Sequence, residues 1–199
     1  MQSAFSCIFR ACVYNTLMER IICEGELSKE WTGASIGTPL RYRLSCTETE
    51  LIYRADRAEA PALHPGAQGG AFSTELWRYH CAEFFLAAPE GAPYMEFNLA
   101  PNGAWWACVF TAPRCAATPA PDLSAIRAKG AVTSEGWEAE MRVPLSLLAA
   151  CGIPLPACRL AIGAALPQDG TERWLTTTPH DTAAPADFHT PAAWALTTL

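Results

Sequence analysis

Tyr94, Glu96 and Asn98 occupy alternate positions of "YMEFNLAPNGAWWACVF" (94–110). An extended chain therefore turns a phenol, an acid and an amide to one side, and Met95, Phe97 and Leu99 to the other. Pro101-Asn102-Gly103 reads as a turn in which Gly103 is free to take positive φ, and a return strand follows over 104–111. That strand points Trp105, Ala107 and Val109 one way and Trp106, Cys108 and Phe110 the other. Which tryptophan joins the core depends on register: Trp106 with Phe110 is the core pair if they share the Phe97 side. One face of the hairpin is apolar; the other carries the chemistry that suits a sugar. Aromatic rings bury the apolar side of a pyranose, while acids and amides hydrogen-bond its hydroxyls. On this reading Glu96 and Asn98 face solvent, and their removal should affect binding more than folding.

Three further groups carry candidate chemistry. Glu83 sits between Ala82 and Phe84 in an apolar run, where a carboxylate must be hydrogen-bonded or reach water; an outer-face solvated Glu is the plain alternative. Glu83 and Glu96 would serve as a glycosidase pair if their carboxyls lay about 5–9 Å apart. The segment "HDTAAPADFH" (180–189) gathers His180, Asp181, Asp187 and His189. Asp181, Asp187 and His189 are weak metal candidates, but the spacing fits no common site type, and loop pinning by backbone hydrogen bonds is preferred. No G-x-S-x-G, phosphate-binding loop or H-E-x-x-H sequence occurs, so a non-catalytic role is favoured over an enzymatic one.

The elements that must position these groups are short strands. The 199 residues are half apolar and 17% charged, with 16 prolines and 13 glycines punctuating the chain, a pattern of many strands rather than long helices. A chain of this length buries about 70% of its unfolded surface. Net charge is −6 without a basic run, which excludes a counterion-displacing nucleic-acid surface. The nine cysteines show no C-x-x-C spacing; they read as small buried apolar residues and tilt the localisation towards a reducing, cytoplasmic compartment. Residues 1–22 lack a basic start and a cleavage site and are too broken to span a membrane. They are expected to form an unstructured leader, with Met18 an alternative start, ahead of one domain over 23–199.

Alternation recurs in 40–46 and 49–55 (a hairpin), 80–87, 137–143, 158–165, 172–178 and 192–198. The segment 137–143 sends Trp137, Ala139, Met141 and Val143 inward, and Pro144 opens a short helical turn, "PLSLL". A loop runs from about Asp56 to Ala71, and 122–128 is compatible with a strand or a helical turn. Nine or ten short strands without alternating helices define an all-β antiparallel β-sandwich.

"LWRYHCAEFFLA", "YMEFNLAPNGAWWA", "WEAEMRVPLSLL" and "DFHTPAAW", in this order over residues 38–199, resemble the DOMON-like domains related to family 9 carbohydrate-binding modules, and within them a bacterial group of small stand-alone proteins. The resemblance implies a jelly-roll or immunoglobulin-like sandwich that binds a small saccharide or glycan end between two tryptophans. By motif position Trp77 matches the first tryptophan and Glu83 a sugar-binding acid; Trp174 is the candidate second platform. Trp77 is otherwise a hydrophobic plug at the sandwich edge. His80-Cys81 replaces an acid of the family pattern, which bears on calcium binding as well as on the sugar geometry. DOMON relatives that bind haem through Met and His imply a further alternative with Met95, Met141 and His80, although both methionines are patterned as core.

Overall fold

The computed structural model describes residues 19–154 and 157–199. The chain runs through β1 (Arg20–Lys29), β2 (Ser35–Cys46), β3 (Glu50–Arg57), β4 (Cys81–Ala87), β5 (Tyr94–Leu99), β6 (Trp105–Ala112), β7 (Cys115–Ala116), β8 (Arg127–Val132) and β9 (Trp137–Pro144). The helix α1 (Leu145–Ala150) follows, then β10 (Cys158–Ala165), β11 (Trp174–Thr176) and β12 (Ala195–Thr197). One sheet has the order β1-β2-β3-β9-β8; the other runs β11-β10-β4-β5-β6-β7, with β12 also paired to β10. Every pairing between these strands is antiparallel. The expected β-sandwich is what the chain forms.

The inner faces follow the alternation. Leu44, Leu51, Tyr53, Met141 and Val143 of the five-stranded sheet meet Phe84, Leu86, Met95, Phe97 and Ile162 of the other, all within one core. Phe84 and Phe97, cross-strand partners of β4 and β5, stack at 4.3 Å between ring centroids. Each such side chain contributes about 1.5–3 kcal/mol by leaving water. The outward residues of β9 form ion pairs across the five-stranded sheet, Arg54 with Glu140 and Arg142 with both Glu140 and Glu50.

One expectation needs correction, and two readings that the sequence leaves open are settled. Residues 1–18 of the anticipated leader lie outside the described residues, but Arg20, Ile21 and Ile22 belong to β1, where Arg20 and Ile21 pair with Cys46 and Ser45. Without β1 the backbone groups along one side of β2 would have no strand partner. Second, Trp105 rather than Trp106 enters the inter-sheet core, because Leu99 pairs with Trp105 and Phe97 with Ala107. Third, 122–128 is neither strand nor helix throughout: a turn leads into β8 at Arg127. Gly103 does take positive φ, at 83°. Among the described residues no helix is long and apolar enough to cross a membrane, and the seven cysteines there are free thiols.

Candidate functional site

Both faces of the seven-stranded sheet carry buried apolar clusters. On its outer face Phe85, Tyr94, Phe110 and Ala161 pack beneath Trp194, with Phe188 against them, in a second cluster separate from the inter-sheet core. The C-terminal segment supplies this cover. Gly163 of β10 permits its close approach: a Cβ there would meet the Phe188 ring at 3.1 Å. Beside the cover lies a cleft of about 670 Å³, within the 300–1,000 Å³ range of small-ligand sites.

The cleft floor is built by register. Glu83 lies opposite Asn98, and Phe85 opposite Glu96; on β6 Trp106 faces Asn98 and Cys108 faces Glu96. Since all of these share the outer face, Glu83, Glu96, Asn98 and Trp106 converge on the cleft. Trp77 and Trp174 stand at it from other elements, Trp77 in a short 3-10 turn (Leu76–Arg78) and Trp174 at the start of the edge strand β11. Of the residues singled out in the sequence, Tyr94 alone among the six binding candidates does not line the cleft. It lies fully buried, its hydroxyl accepting the Arg114 N–H at 2.9 Å and meeting His189 Nδ1 at 2.8 Å.

Glu96 and Asn98 do not face solvent as expected: they are 8% and 1% exposed, and Glu83 is 2% exposed. The reason is the C-terminal cover over the outer face, which alternation alone does not show. Asn98 Nδ2 donates to Glu96 Oε1 at 3.1 Å, and His189 Nε2 approaches Glu96 Oε2 at 3.7 Å. With the phenol proton of Tyr94 directed to Nδ1, the neutral imidazole carries its hydrogen on Nε2, towards Glu96. Burial holds His189 below the ordinary imidazole range, helped by the nearby Arg114 charge. Burial also pushes the Glu83 carboxyl well up, with the Glu96 charge adding to it, and raises Glu96 to about 7. Two neighbouring acids in a dry site resist ionising together, so the pair retains a proton near neutrality.

Trp77 is 39% exposed, while Leu76 beside it is 1% exposed and fills the edge; the plug is Leu76. The left-handed backbone of Glu75, at φ 58° and ψ 25°, starts the turn that presents Trp77. The Arg78 guanidinium sits 5.2 Å over the Trp77 ring. The Trp77 and Trp174 rings lie 6.1 Å apart between centroids at 36°. A sugar ring held between two aromatic faces needs about 7–8 Å, twice an optimal carbon contact. The two tryptophans thus meet each other at the cleft rather than spanning a gap.

The remaining candidates are placed as follows. Asp187 Oδ1 accepts from the His189 N–H at 3.0 Å and from Arg114 at 2.8 Å, and Asp181 accepts from the Ala183 N–H at 2.9 Å. Asp181, Asp187 and His189 form no metal-capable cluster among the described residues. Met95 and Met141 are fully buried in the inter-sheet core, and His80 bonds the Pro167 carbonyl at 3.1 Å instead. Sequence reasoning missed Trp106, Phe110, Arg114, Glu172 and Phe188 as cleft residues. Only the first two carried a signal, their alternation on β6, where Trp106 lies opposite Asn98 and Phe110 opposite Tyr94.

The chain is thus an antiparallel sandwich with an aromatic and acidic cleft on one outer face. Among solved structures, the chain is similar to a protein from Bacteroides uniformis that is proposed to bind carbohydrate: 15% identity, TM-score 0.65, covering 93% of this chain and 88% of that one. It is also similar to a family 9 carbohydrate-binding module from Caldicellulosiruptor kristjanssonii. The complex with glucose gives 13% identity, TM-score 0.58 and coverage of 88% and 82%; the complex with cellotriose gives 13%, 0.57, and 88% and 80%. At these identities the likeness establishes a shared fold. No family model and no curated protein sequence matches the chain.

Proposed function

We propose that this protein binds a small saccharide or glycan end in the cleft on the outer face of the seven-stranded sheet, without transforming it. The observation that carries the reading is the convergence of Trp77 and Trp174 with Glu83, Glu96 and Asn98 on one cleft of about 670 Å³. Aromatic faces would take the apolar side of a pyranose, and the floor would bond its hydroxyls. The fold shared with carbohydrate-binding modules, two of whose structures hold glucose and cellotriose, supports it, as does the motif order that resembles DOMON-like domains. Because the tryptophan rings are 6.1 Å apart, the ligand either stacks on the floor side of the pair or parts the rings by about 1–2 Å to enter between them. Trp77, on a short turn and partly exposed, is the ring able to move.

Titration calorimetry of the protein against a panel of mono- and oligosaccharides that includes glucose and cellotriose tests the proposal. The expected result is a saturable heat with at least one saccharide, recovered intact after incubation. Trp174→Ala should weaken that binding. Absence of binding across the panel overturns the proposal. Turnover abolished by both Glu83→Gln and Glu96→Gln would transfer the site to glycoside hydrolysis.

A further inference from the structure

The charge of the cleft is one-sided. Among the described residues its lining holds Glu75, Glu83, Glu96 and Glu172 against a single cation, Arg114, and Arg114 is already paired with Asp187 at 2.8 Å. Glu75 has Arg78 at 3.0 Å. Glu83, deepest of the four, makes no side-chain hydrogen bond or ion pair among the described residues although it is 2% exposed. Beside it the Asn98 Oδ1 atom is buried with no partner among the described residues, its amide nitrogen being committed to Glu96. A buried acceptor left unpaired costs about 1–3 kcal/mol, and more when charged. Apart from the one proton that the carboxyl pair retains, the floor presents acceptors without donors, and it lacks a compensating positive charge.

A neutral sugar would meet only half of this demand. Its hydroxyls donate, but they bring no charge to a floor that must otherwise hold a proton. A primary ammonium brings three donors and one positive charge in a compact group. The walls suit it as well: Trp77, Trp106 and Trp174 line the same cleft, and aromatic faces attract cations most strongly where water is excluded. Resting on the saccharide reading above, we propose that the ligand is an amine-bearing saccharide whose ammonium enters between Glu83 and Asn98, with Glu96 adjacent. Binding then displaces the retained proton from the carboxyl pair and replaces it with the ligand's charge.

Calorimetry at pH 7 with three trisaccharides of matched β-1,4 backbone separates this from the broader reading: the glucosamine trimer, its N-acetylated form and cellotriose. The glucosamine trimer should bind at least about tenfold tighter than either of the others, the worth of one hydrogen bond to a charged group. The ratio of glucosamine-trimer to cellotriose affinity should fall to about one in Glu83→Gln, whatever that substitution costs the two ligands in common. Because that substitution touches a buried group, the wild-type selectivity is the primary readout. A second readout is the buffer dependence of the heat: proton release accompanies the amine ligand and not cellotriose. Equal or tighter binding of cellotriose or the acetylated trimer overturns the ammonium proposal and leaves saccharide binding standing. No binding by any of the three overturns the ammonium proposal and removes the support for the saccharide site together.

Discussion

The two outer faces of the sandwich handle their polar groups in opposite ways. On the five-stranded sheet, acids and arginines alternate with the inward apolar residues and pair across strands, Glu24 with Arg43, Asp56 with Arg41 and Glu140 with Arg54, while Arg142 joins Glu140 along β9. Every one of those charges has a counter-charge and access to water. The seven-stranded sheet carries Glu83, Glu96 and Asn98 beneath a cover of aromatics, without a basic partner on their own strands. An outer sheet face that exists only for solubility resembles the first. The second retains costly, incompletely partnered groups, which is where binding sites are found. Their contrast is the strongest internal argument for placing the site.

The largest expected effect tests whether the covered face is structural as well as functional. Trp194 is 2% exposed and packs on Phe85 and Tyr94 at 5.4 and 5.5 Å. Trp194→Ala should destabilise the fold by about 3–5 kcal/mol through loss of transfer and a cavity. Arg41→Ala on the other face should change stability by less than about 0.5 kcal/mol. Urea denaturation measures both. Similar losses at the two positions would erase the distinction between a second core and a solvated ladder.

Next in size is a pH dependence of opposite sign on the two faces. Glu96, raised by burial to about 7, binds its proton more tightly folded than unfolded. Its contribution to stability is complete below about 4.5 and lost as pH rises through about 7, up to roughly 3 kcal/mol by linkage. Glu19, hydrogen-bonded by Arg54, is held below the ordinary range; its contribution is present at neutral pH and lost on acidification below about 4.5. Melting temperature should therefore pass through a maximum on the acid side of neutrality. Glu96→Gln should flatten the decline towards pH 8 while leaving the acid limb, and a decline that survives in this variant would show that another group controls it.

Trp77 sharpens the comparison in the opposite direction from Trp194. With 39% exposure, Trp77→Ala should alter unfolding free energy by about 1 kcal/mol or less. It should weaken saccharide binding by about 1–2 kcal/mol if the ring is a platform. Quenching or enhancement of tryptophan fluorescence on ligand addition, lost in this variant, would report the same contact. Unchanged affinity would move the binding surface deeper, to Trp106 and the floor.

Most of the scaffold was legible because local alternation fixes it. β4, β5, β6, β9 and the helix after Pro144 follow from side-chain period and from proline's tolerance at a helix start. Trp77, Glu83, Glu96, Asn98 and Trp174 were singled out from types and motif positions, and they do share one cleft. What escaped was set by long-range contacts. β1 is largely exposed and is interrupted by register shifts between Ile21 and Cys23 and between Leu27 and Lys29, so it shows no clean period of two. The exposure of Glu96 and Asn98 was misjudged because Phe188 and Trp194, some ninety residues later in the chain, close over their face. Alternation says which side a residue points to; it does not say what else arrives there.

The smallest predicted effect bears on the solvated ladder. Arg43 Nε lies 2.8 Å from Glu24 Oε2, with both side chains 51% exposed. Water and salt screen such a pair, and holding two long side chains together costs rotamer entropy, so its coupling should be about 0.2–1 kcal/mol. A double-mutant cycle of Arg43→Ala and Glu24→Ala, read by urea denaturation at low salt and again in 0.5 M salt, isolates that coupling. Its near-disappearance in salt would confirm that this face is held by exposed, interchangeable charges. The pH-dependent decline assigned to Glu96 should by contrast persist in the same salt, because the buried pair is screened much less. A coupling above about 2 kcal/mol that resists salt would mean the ladder is as specialised as the cleft face. The asymmetry of partnering would then no longer single out the covered sheet as the site.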